Sequence, residues 1–205
     1  MYKLRLYLFR HGKTGLNRAK VYQGILDPPL CEDGRLALFQ KAEEARKVLP
    51  LSAVFVSPMI RARETAEIFF PEFQHLVIPE LRERNFGPYE GLPWAKLEKD
   101  PEYRLFVDSE GQKVPEGMEP FEDFNARLEL ALEKVCRSFQ LAENEADTLR
   151  RAALVFHGGS IMQLTRFVFD CGCQDLFQYR LDNGECLCVE GEVEGGHFQF
   201  RRLLP

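Results

Sequence analysis

The sequence lacks any apolar run long enough to cross a membrane, and it carries no excess of positive charge. Its 205 residues include 27 Lys and Arg against 32 Asp and Glu, which gives a formal net charge of −5 at pH 7. Because the basic residues are also scattered along the chain, a general attraction to nucleic acid or to an anionic membrane is excluded. Any anion that binds this protein must therefore be held by a local basic pocket.

The first ten residues lack the apolar segment and small-residue cleavage site of a secretion signal, which favours a cytoplasmic protein. The sequence contains six cysteines, at Cys31, Cys136, Cys171, Cys173, Cys186 and Cys188. In a cytoplasmic chain of this size we expect reduced thiols. The two C-x-C pairs raise the alternative of a metal site. This spacing is not that of structural zinc, however, and Cys186 and Cys188 fit one face of a strand.

No linker, repeat or low-complexity segment divides the sequence, so residues 1–205 are interpreted as a single domain. Short apolar runs predict buried strands at 3–9, 53–56 and 152–156. Apolar residues at intervals of three and four predict helices at 33–49, 61–70, 120–142 and 160–169. In the first of these helices, the pattern places Leu36, Phe39, Ala42 and Ala45 on one face. A closing hairpin is expected at 185–190 and 197–203.

The alternation of strands and helices predicts an α/β fold: a three-layer sandwich with a mostly parallel central sheet and helices on both faces. Residues 87–117, rich in Pro, Gly and charge, interrupt the alternation and predict an irregular excursion of the kind that often carries function. Four apolar residues are candidates for a homodimer surface, with burial in the core as the alternative: Phe167, Phe169, Phe177 and Tyr179.

Two of the predicted strands end in the same dipeptide. One runs into Arg10-His11-Gly12 and the other into His157-Gly158-Gly159. In an open α/β sheet the carboxyl ends of the strands form the ligand crevice. If the two strands are parallel neighbours, the two imidazoles face each other across that crevice, and the glycines let a ligand approach the backbone. The matched pair favours a functional site.

Arginines accompany both histidines. Arg10 directly precedes His11, and Arg61 follows the second strand near the start of a predicted helix. Guanidinium groups and helix amino termini both favour a bound oxyanion, so two arginines beside two histidines indicate phosphate. The alternative for Arg61 is a solvated residue that pairs with Glu64.

Further motifs follow in order along the chain, up to about Phe169: Asn17, Gln23-Gly24, Pro29-Leu30, Gly34, the segment 57–66, Leu81-x-Glu83, Gly87 and Glu90-Gly91. Together with the two His-Gly pairs, they resemble the histidine phosphatase superfamily. This family includes cofactor-dependent phosphoglycerate mutases, α-ribazole phosphatases and fructose bisphosphatases. The resemblance implies a phosphoglycerate mutase-like fold. The tripeptide Arg-His-Gly is weak alone, whereas the combination is specific.

The resemblance also implies a metal-independent reaction without a cofactor. In it, His11 is the nucleophile, His157 is its partner at the phosphoryl oxygens, Arg10 and Arg61 are cationic ligands, and Glu83 is the general acid. The chemistry agrees, because a neutral imidazole, with a reference pKa of about 6.5, is nucleophilic at physiological pH. Cationic groups stabilise the charge on the three equatorial oxygens of the transferring group.

Five further residues match positions that touch substrate in relatives: Asn17, Gln23, Gly24, Arg84 and Gly158. The assignment of Glu83 has competitors in Glu80, Glu90 and Asp108, and the acid role requires a protonated carboxyl in a pocket partly screened from water. The remaining histidines, His75 and His197, are assigned to surface or strand positions.

The sequence departs from its relatives at Lys13, where the family most often has Glu. This Lys either adds positive charge at the mouth of the site or points outward into solvent. The segment 115–119 resembles the P-x-G-E-S element of the α-ribazole and broad-specificity phosphatase branch, with an offset at Glu119. Mutases of the family are usually longer, with a tail that excludes water, whereas this chain ends soon after its predicted hairpin.

We therefore predict a metal-independent phosphatase whose substrate is a small phosphorylated metabolite. One alternative is a cofactor-dependent phosphoglycerate mutase, and another is a non-catalytic module that binds a phosphorylated ligand.

Overall fold

A six-stranded sheet lies at the centre of the structure, a computed structural model that describes residues 2–109, 112–140, 149–168, 179–194 and 197–202. Its spatial order is β3-β2-β4-β1-β5-β6. The strands are β1 (Tyr2–Arg10), β2 (Ala53–Val56), β3 (His75–Val77), β4 (Arg150–Phe156), β5 (Cys186–Glu194) and β6 (His197–Arg202). The first four strands in this order are parallel, and β5 and β6 add an antiparallel edge beside β1. The predicted mostly parallel sheet is confirmed.

Helices cover both faces of the sheet. They are α1 (Gly15–Arg18), α2 (Glu32–Arg46), α3 (Ile60–Phe69), α4 (Trp94–Leu97), α5 (Pro101–Asp108), α6 (Phe121–Gln140) and α7 (Gly158–Val168). Successive side chains of β4 point to opposite faces of the sheet, as the strand period of two requires. Leu154 packs in the cluster that contains Leu128 of α6 and Ile161 of α7. Val155 packs in the cluster that contains Leu38 of α2. The predicted three layers are confirmed.

Helix α2 presents a different face from the one predicted. Leu36 and Phe39 are 60% and 59% exposed, whereas Leu38 is buried together with Ala42 and Ala45. Gly34 is buried on the same side as Leu38, and an added Cβ there would lie 2.1 Å from the Lys13 carbonyl oxygen. The residue pattern within the helix does not show this tertiary contact.

The excursion at 87–117 is only partly irregular, so that prediction is wrong for the stretches that form short helices. It contains a 3₁₀ turn at Gly87–Tyr89 followed by α4 and α5. Asp100 caps α5 by accepting from the backbone N–H of Tyr103 at 2.8 Å. Tyr89, Leu97, Tyr103 and Met118 form a small apolar cluster of its own. These elements are too short for a periodic pattern to reveal them, and the same holds for β3, which the sequence analysis missed.

Several predictions fall outside the described residues, among them Phe169, Phe177, Cys171 and Cys173. Tyr179 is buried and belongs to the main core cluster, which is the alternative to a dimer surface. None of the helices in the described part of the chain combines the length and the apolar character that crossing a bilayer requires.

Candidate active site

The two His-Gly strand ends meet at one edge of the sheet. Strands β1 and β4 are parallel neighbours, with Arg10 in register with Phe156. The backbone N–H of His11 donates to the Phe156 carbonyl at 2.9 Å and so continues the ladder past the end of the strand. The imidazole centroids of His11 and His157 are 5.2 Å apart. Both rings are buried, so the structure brings together the pair that the sequence places at this edge.

His11 is held as a neutral imidazole of defined tautomer. Its Nδ1 lies 2.7 Å from the Gly12 carbonyl oxygen, which can only accept, so Nδ1 carries the proton and Nε2 keeps its lone pair. Burial and the nearby charge of Arg61, with a smaller effect of Arg10, hold the pKa of His11 well below its ordinary value. The hydrogen bond to Gly12 acts in the opposite direction on this pKa without reversing the net shift. Nε2 of His11 is therefore left with an unprotonated lone pair.

His157 has a partner that the sequence analysis missed. Its Nε2 lies 2.8 Å from Ser57 Oγ, and the same hydroxyl accepts from the backbone N–H of Met59 at 3.3 Å. Burial, followed by the charge of Arg61 and the proximity of His11, lowers the pKa of His157 well below its ordinary value. Ser57 opens the 57–66 motif, and this position was the only signal that could have identified it.

Of the two arginines beside the histidines, Arg61 is fully buried and Arg10 is partly buried, and carbonyl groups hold both. Arg10 Nη1 donates to the Leu181 carbonyl at 2.6 Å. Arg61, fully buried, donates to the carbonyl oxygens of Leu26 at 2.7 Å and Gly24 at 2.8 Å. Burial lowers the pKa of both guanidinium groups, while the negative charge of Glu83 raises it.

The alternative placement of Arg61 beside Glu64 on the surface is wrong. Glu64 instead pairs with Arg35 at 2.8 Å and accepts from the backbone N–H of Leu30 at 2.7 Å. Arg61 also lies 3.5 Å from the carboxylate of Asp27, which accepts from the N–H of Ile60 at the start of α3. Arg61 is therefore a buried cation of the site and not a solvated residue of the helix surface.

Glu83 lies against the second His-Gly segment. Its carboxylate accepts from Ser160 Oγ at 2.9 Å, from the backbone N–H of Gly159 at 3.0 Å and from its neighbour Arg84 N at 2.9 Å. An added Cβ at Gly159 would lie 3.0 Å from this carboxylate, a contact so tight that the carboxylate would have to shift by a few tenths of an ångström. The carboxyl is 6% exposed, which is the partly screened pocket that the acid role requires.

The three competing carboxylates are engaged elsewhere. Glu80 pairs with Lys134 at 2.5 Å, and Asp108 forms a surface pair with Arg104 at 3.7 Å. Glu90 accepts from four backbone N–H groups of residues 24–26 and 86. Of the four candidates, Glu83 is therefore the one placed beside the histidines.

The remaining predicted residues surround this centre. Gly158 faces Arg10, since an added Cβ would lie 3.0 Å from Arg10 Nε. Asn17 is the third residue of α1 and forms a capping box with Thr14, whose hydroxyl also donates to Gln23 Oε1 at 2.5 Å. These contacts link α1 to the loop that carries Gln23 and Gly24.

Arg84 is buried beside the excursion. Its Nε donates to the Glu119 carbonyl at 2.8 Å, and its guanidinium carbon lies 3.8 Å from the centre of the Phe121 ring. Burial lowers the pKa of Arg84 to about 10, so the group stays charged at neutral pH.

Buried polar atoms of the predicted site have no hydrogen-bond partner within the described ranges. They are Nε of Arg10, Nε of Arg61, Nε2 of Gln23, Nη2 of Arg84 and Nδ1 of His157. Buried polar groups are normally hydrogen-bonded, so each such atom calls for an explanation. An oxyanion supplies several acceptors at once, which fits a site made of guanidinium, amide and imidazole groups.

A largely buried ion pair supports the segment that carries Glu83, and the sequence did not predict it. Arg127 of α6 pairs with Glu119 at 2.7 Å and donates to the carbonyl oxygens of Glu80 at 2.7 Å and Arg82 at 2.8 Å. Glu119 in turn accepts from the backbone N–H of Asn85 at 3.1 Å. The offset P-x-G-E-S element containing Glu119 was the only sequence signal for this contact.

Lys13 and the described cysteines lie outside this arrangement. Lys13 pairs with Asp33 at 3.7 Å, and both side chains are about half exposed, at 44% and 48%. Cys31, Cys136, Cys186 and Cys188 are free thiols, with the last two on one face of β5 as predicted. Within the described ranges, no three His, Cys, Asp or Glu side chains are grouped so that they could hold a metal ion.

Comparison with known proteins gives a consistent picture. A family model for the histidine phosphatase superfamily (branch 1) matches residues 6–203. The metal-independent phosphoserine phosphatase of Arabidopsis thaliana is 33% identical over 162 residues, which are 75% of this chain and 64% of that protein. Phosphoglycerate mutase-like protein 4 of the same plant is 30% identical over 165 residues, 78% of this chain and 68% of that protein.

The chain thus spans less than two thirds of the length of that phosphoserine phosphatase. It spans about half, 51%, of a bifunctional protein of Mycobacterium tuberculosis that is 28% identical. Among solved structures, a mycobacterial glucosyl-3-phosphoglycerate phosphatase in complex with VO3 superposes with a TM-score of 0.79 at 26% identity, covering 98% of this chain and 97% of that one. The predicted fold is confirmed by this superposition.

Proposed function

Because this chain belongs to the histidine phosphatase superfamily, we propose that it is a metal-independent phosphatase that hydrolyses a small phosphomonoester through a phosphohistidine on His11. The observation that carries the proposal is the state of His11. Its Nδ1 proton is engaged by the Gly12 carbonyl, its Nε2 lone pair is free, and burial keeps the ring neutral. A neutral imidazole beside His157, Arg10 and the fully buried Arg61 is a nucleophile that faces an oxyanion site.

In the first step, His11 Nε2 attacks phosphorus and the bond to the ester oxygen breaks. The electron pair of that bond leaves with the oxygen, which takes a proton from the carboxyl of Glu83. The product alcohol departs and phosphohistidine remains. Arg10, Arg61 and His157 position the equatorial oxygens and stabilise their charge.

In the second step, water attacks the phosphorus of the phosphohistidine. The carboxylate of Glu83 takes a proton from that water, the phosphorus–nitrogen bond breaks, and its electron pair returns to Nε2. Inorganic phosphate leaves, and both His11 and Glu83 regain their starting states. Atoms and protons balance over the cycle, which consumes one water and one ester.

The type of phosphatase, the remaining substrate contacts and the location of the protein are also proposed. A low pKa for His11 keeps the nucleophile unprotonated below pH 6.5, which supports a phosphomonoesterase of the histidine acid phosphatase type. Asn17, Gln23, Gly24, Arg84 and Gly158 complete the substrate contacts in this scheme. We further propose a cytoplasmic, single-domain protein whose partner is a small phosphorylated metabolite, with a homodimer as a further assembly to test.

A mutase is the second candidate, favoured by the relative named phosphoglycerate mutase-like protein 4. A mutase passes the phosphoryl group to a second acceptor instead of water and requires a bisphosphorylated primer. Turnover that depends on added bisphosphoglycerate would identify the mutase, whereas release of inorganic phosphate without it would identify the phosphatase.

The test is hydrolysis of para-nitrophenyl phosphate in the presence of a chelator, with wild type, His11→Ala and His75→Ala. His75, at the start of β3, is the matched control, because its Nε2 donates to the Phe70 carbonyl at 2.9 Å and the ring is not part of the site. We expect chelator-resistant activity in wild type and His75→Ala, and its loss in His11→Ala. Activity that survives in His11→Ala would end the proposed mechanism. A wild type that binds phosphate without turnover would favour the non-catalytic binding module.

A further inference from the structure

The carboxylate of Glu90 accepts several hydrogen bonds that play no part in the proposed chemistry. Its carboxylate accepts from the backbone N–H groups of Gly24 at 3.0 Å, Ile25 at 3.0 Å, Leu26 at 3.2 Å and Phe86 at 3.0 Å. Four donors on one carboxylate fill most of its acceptor capacity. This group is therefore committed to the loop at 24–26 and is not available for proton transfer.

The opposite side of the same loop holds Arg61. The guanidinium donates to the carbonyl oxygens of Gly24 and Leu26 at 2.8 and 2.7 Å. The Gly24 carbonyl and the Ile25 N–H belong to one peptide group, so a single peptide lies between Glu90 and Arg61. Its N–H points at a negative charge and its C=O at a positive charge. Each hydrogen bond polarises the peptide in the direction that strengthens the other.

The loop has no regular structure of its own that would hold these carbonyl groups in place. Its backbone is closely packed at Gly24, where an added Cβ would lie 2.0 Å from the Arg84 carbonyl oxygen and 2.2 Å from Glu90 Oε1. Arg61 is fully buried and its Nε has no partner in the part of the chain that the structure describes. The direction of that free donor depends on where the two carbonyl groups hold the guanidinium.

We propose that Glu90 is a positioning residue for Arg61, acting through the backbone of residues 24–26 to aim the guanidinium at the phosphoryl oxygens. The inference rests on the proposed function, because it takes Arg61 to be a phosphate ligand. Glu90 itself does not touch the substrate in this account. The charge of Glu90 also acts on Arg61 directly, since it opposes the lowering of the Arg61 pKa by burial.

The experiment measures the dissociation constants of orthovanadate and inorganic phosphate for wild type, Glu90→Gln, Arg61→Ala and the double variant. Glu90→Gln keeps the shape but removes the charge and one of the two acceptor oxygens. We expect binding to weaken roughly tenfold to a hundredfold, the range for a lost hydrogen bond to a charged group. If Glu90 acts through Arg61, the double variant binds no more weakly than Arg61→Ala alone, because coupled residues are not additive.

Asp100→Ala is the matched control in the same part of the chain. It removes the cap of α5, so we expect a lower Tm with vanadate binding unchanged. A merely structural role of Glu90 would also lower Tm and the folded fraction while leaving the dissociation constant of the folded protein at the wild-type value. Should Glu90→Gln fail to fold, Glu90→Asp keeps the charge at a shorter reach, and the same cycle applies.

The inference is overturned if the Glu90 variant binds vanadate like wild type, or if its effect adds in full to that of Arg61→Ala. Binding needs no turnover, so the outcome is separate from that of the hydrolysis test. If the wild type binds vanadate but hydrolyses no ester, the comparison of the single and double variants still tests the role of Glu90. Only the phosphatase proposal is then overturned. A wild type that binds neither anion overturns both.

Discussion

The candidate site has two halves that are held in place by different means. The sheet half, Arg10, His11 and His157, follows strand ends that the β1–β4 ladder fixes in register. The loop half, Glu83 with Arg84, lies on a segment without strand pairing, where the Glu119–Arg127 ion pair binds the backbone instead. Where regular structure ends, charged side chains supply the hydrogen bonds that would otherwise come from a neighbouring strand. The two halves should therefore respond differently to substitution.

The largest expected difference concerns the leaving group. Glu83→Gln should lower kcat/KM for an alkyl ester such as β-glycerophosphate by about 10²- to 10⁴-fold, the usual contribution of a general acid. For para-nitrophenyl phosphate the loss should be roughly tenfold or less, because nitrophenolate departs without a proton. The measurement is kcat/KM, since it reports the steps up to release of the alcohol.

Arg61→Met is the variant to compare with Glu83→Gln, because Arg61 is proposed to bind the phosphoryl group. It should lower kcat/KM for both esters by a similar factor, about 10²- to 10³-fold, as for loss of an oxyanion donor. Equal losses on both substrates in Glu83→Gln would contradict its role as the acid. Unequal losses in Arg61→Met would contradict its role as a ligand of the phosphoryl group.

The next effect is on stability. Arg127→Met leaves the buried Glu119 carboxylate without its ion pair and removes two carbonyl contacts, so it should lower the free energy of unfolding by about 3–5 kcal/mol. Arg137→Met, on the same helix, breaks an exposed pair with Glu133 and should cost about 1 kcal/mol or less. Urea unfolding of both variants checks this. Equal costs would show that the ion pair does not hold the loop half.

The smallest expected effect is a difference between the two halves in how the free energy of unfolding depends on pH. Because burial lowers the pKa of His157, this ring is protonated near pH 6.5 in the unfolded chain but stays neutral in the folded chain. Stability should therefore fall as pH decreases, by about 1.4 kcal/mol for this group at pH 5.5. His157→Gln should show that much less decline between pH 7.5 and 5.5 in urea unfolding. A wild-type slope in the variant would contradict the neutral buried ring.

The loop half should respond in a lower pH range. Although burial raises the pKa of Glu119, its bonds to Arg127 lower it on balance. A carboxyl with a depressed pKa loses its contribution as pH falls below the unfolded value, near 4.5. The decline above pH 5.5 therefore belongs to the histidines, and only the decline below it reports the ion pair.

The sequence predicts most of the sheet half and little of the loop half. The dipeptides at His11 and His157 end apolar strands, and the strand period and the ligand crevice at strand ends place them together. The contacts of Glu90 and Arg127 leave no such mark, because a carboxylate that collects backbone N–H groups has no required spacing. The exposed face of α2 at Leu36 and the short helices α4 and α5 escaped prediction because tertiary contacts decide them.

The order of the strands also determines when the site can exist during synthesis. Strand β1 is made first, yet Leu4 pairs with Arg150 of β4 and Tyr2 with Val193 of β5. At a translation rate of about 5–20 residues per second, roughly 7 to 30 seconds pass between the synthesis of β1 and that of β4, and more before β5 is made. His11 therefore has no complete binding site around it until β4 has been made, and a nascent chain that stops before β4 carries His11 without His157.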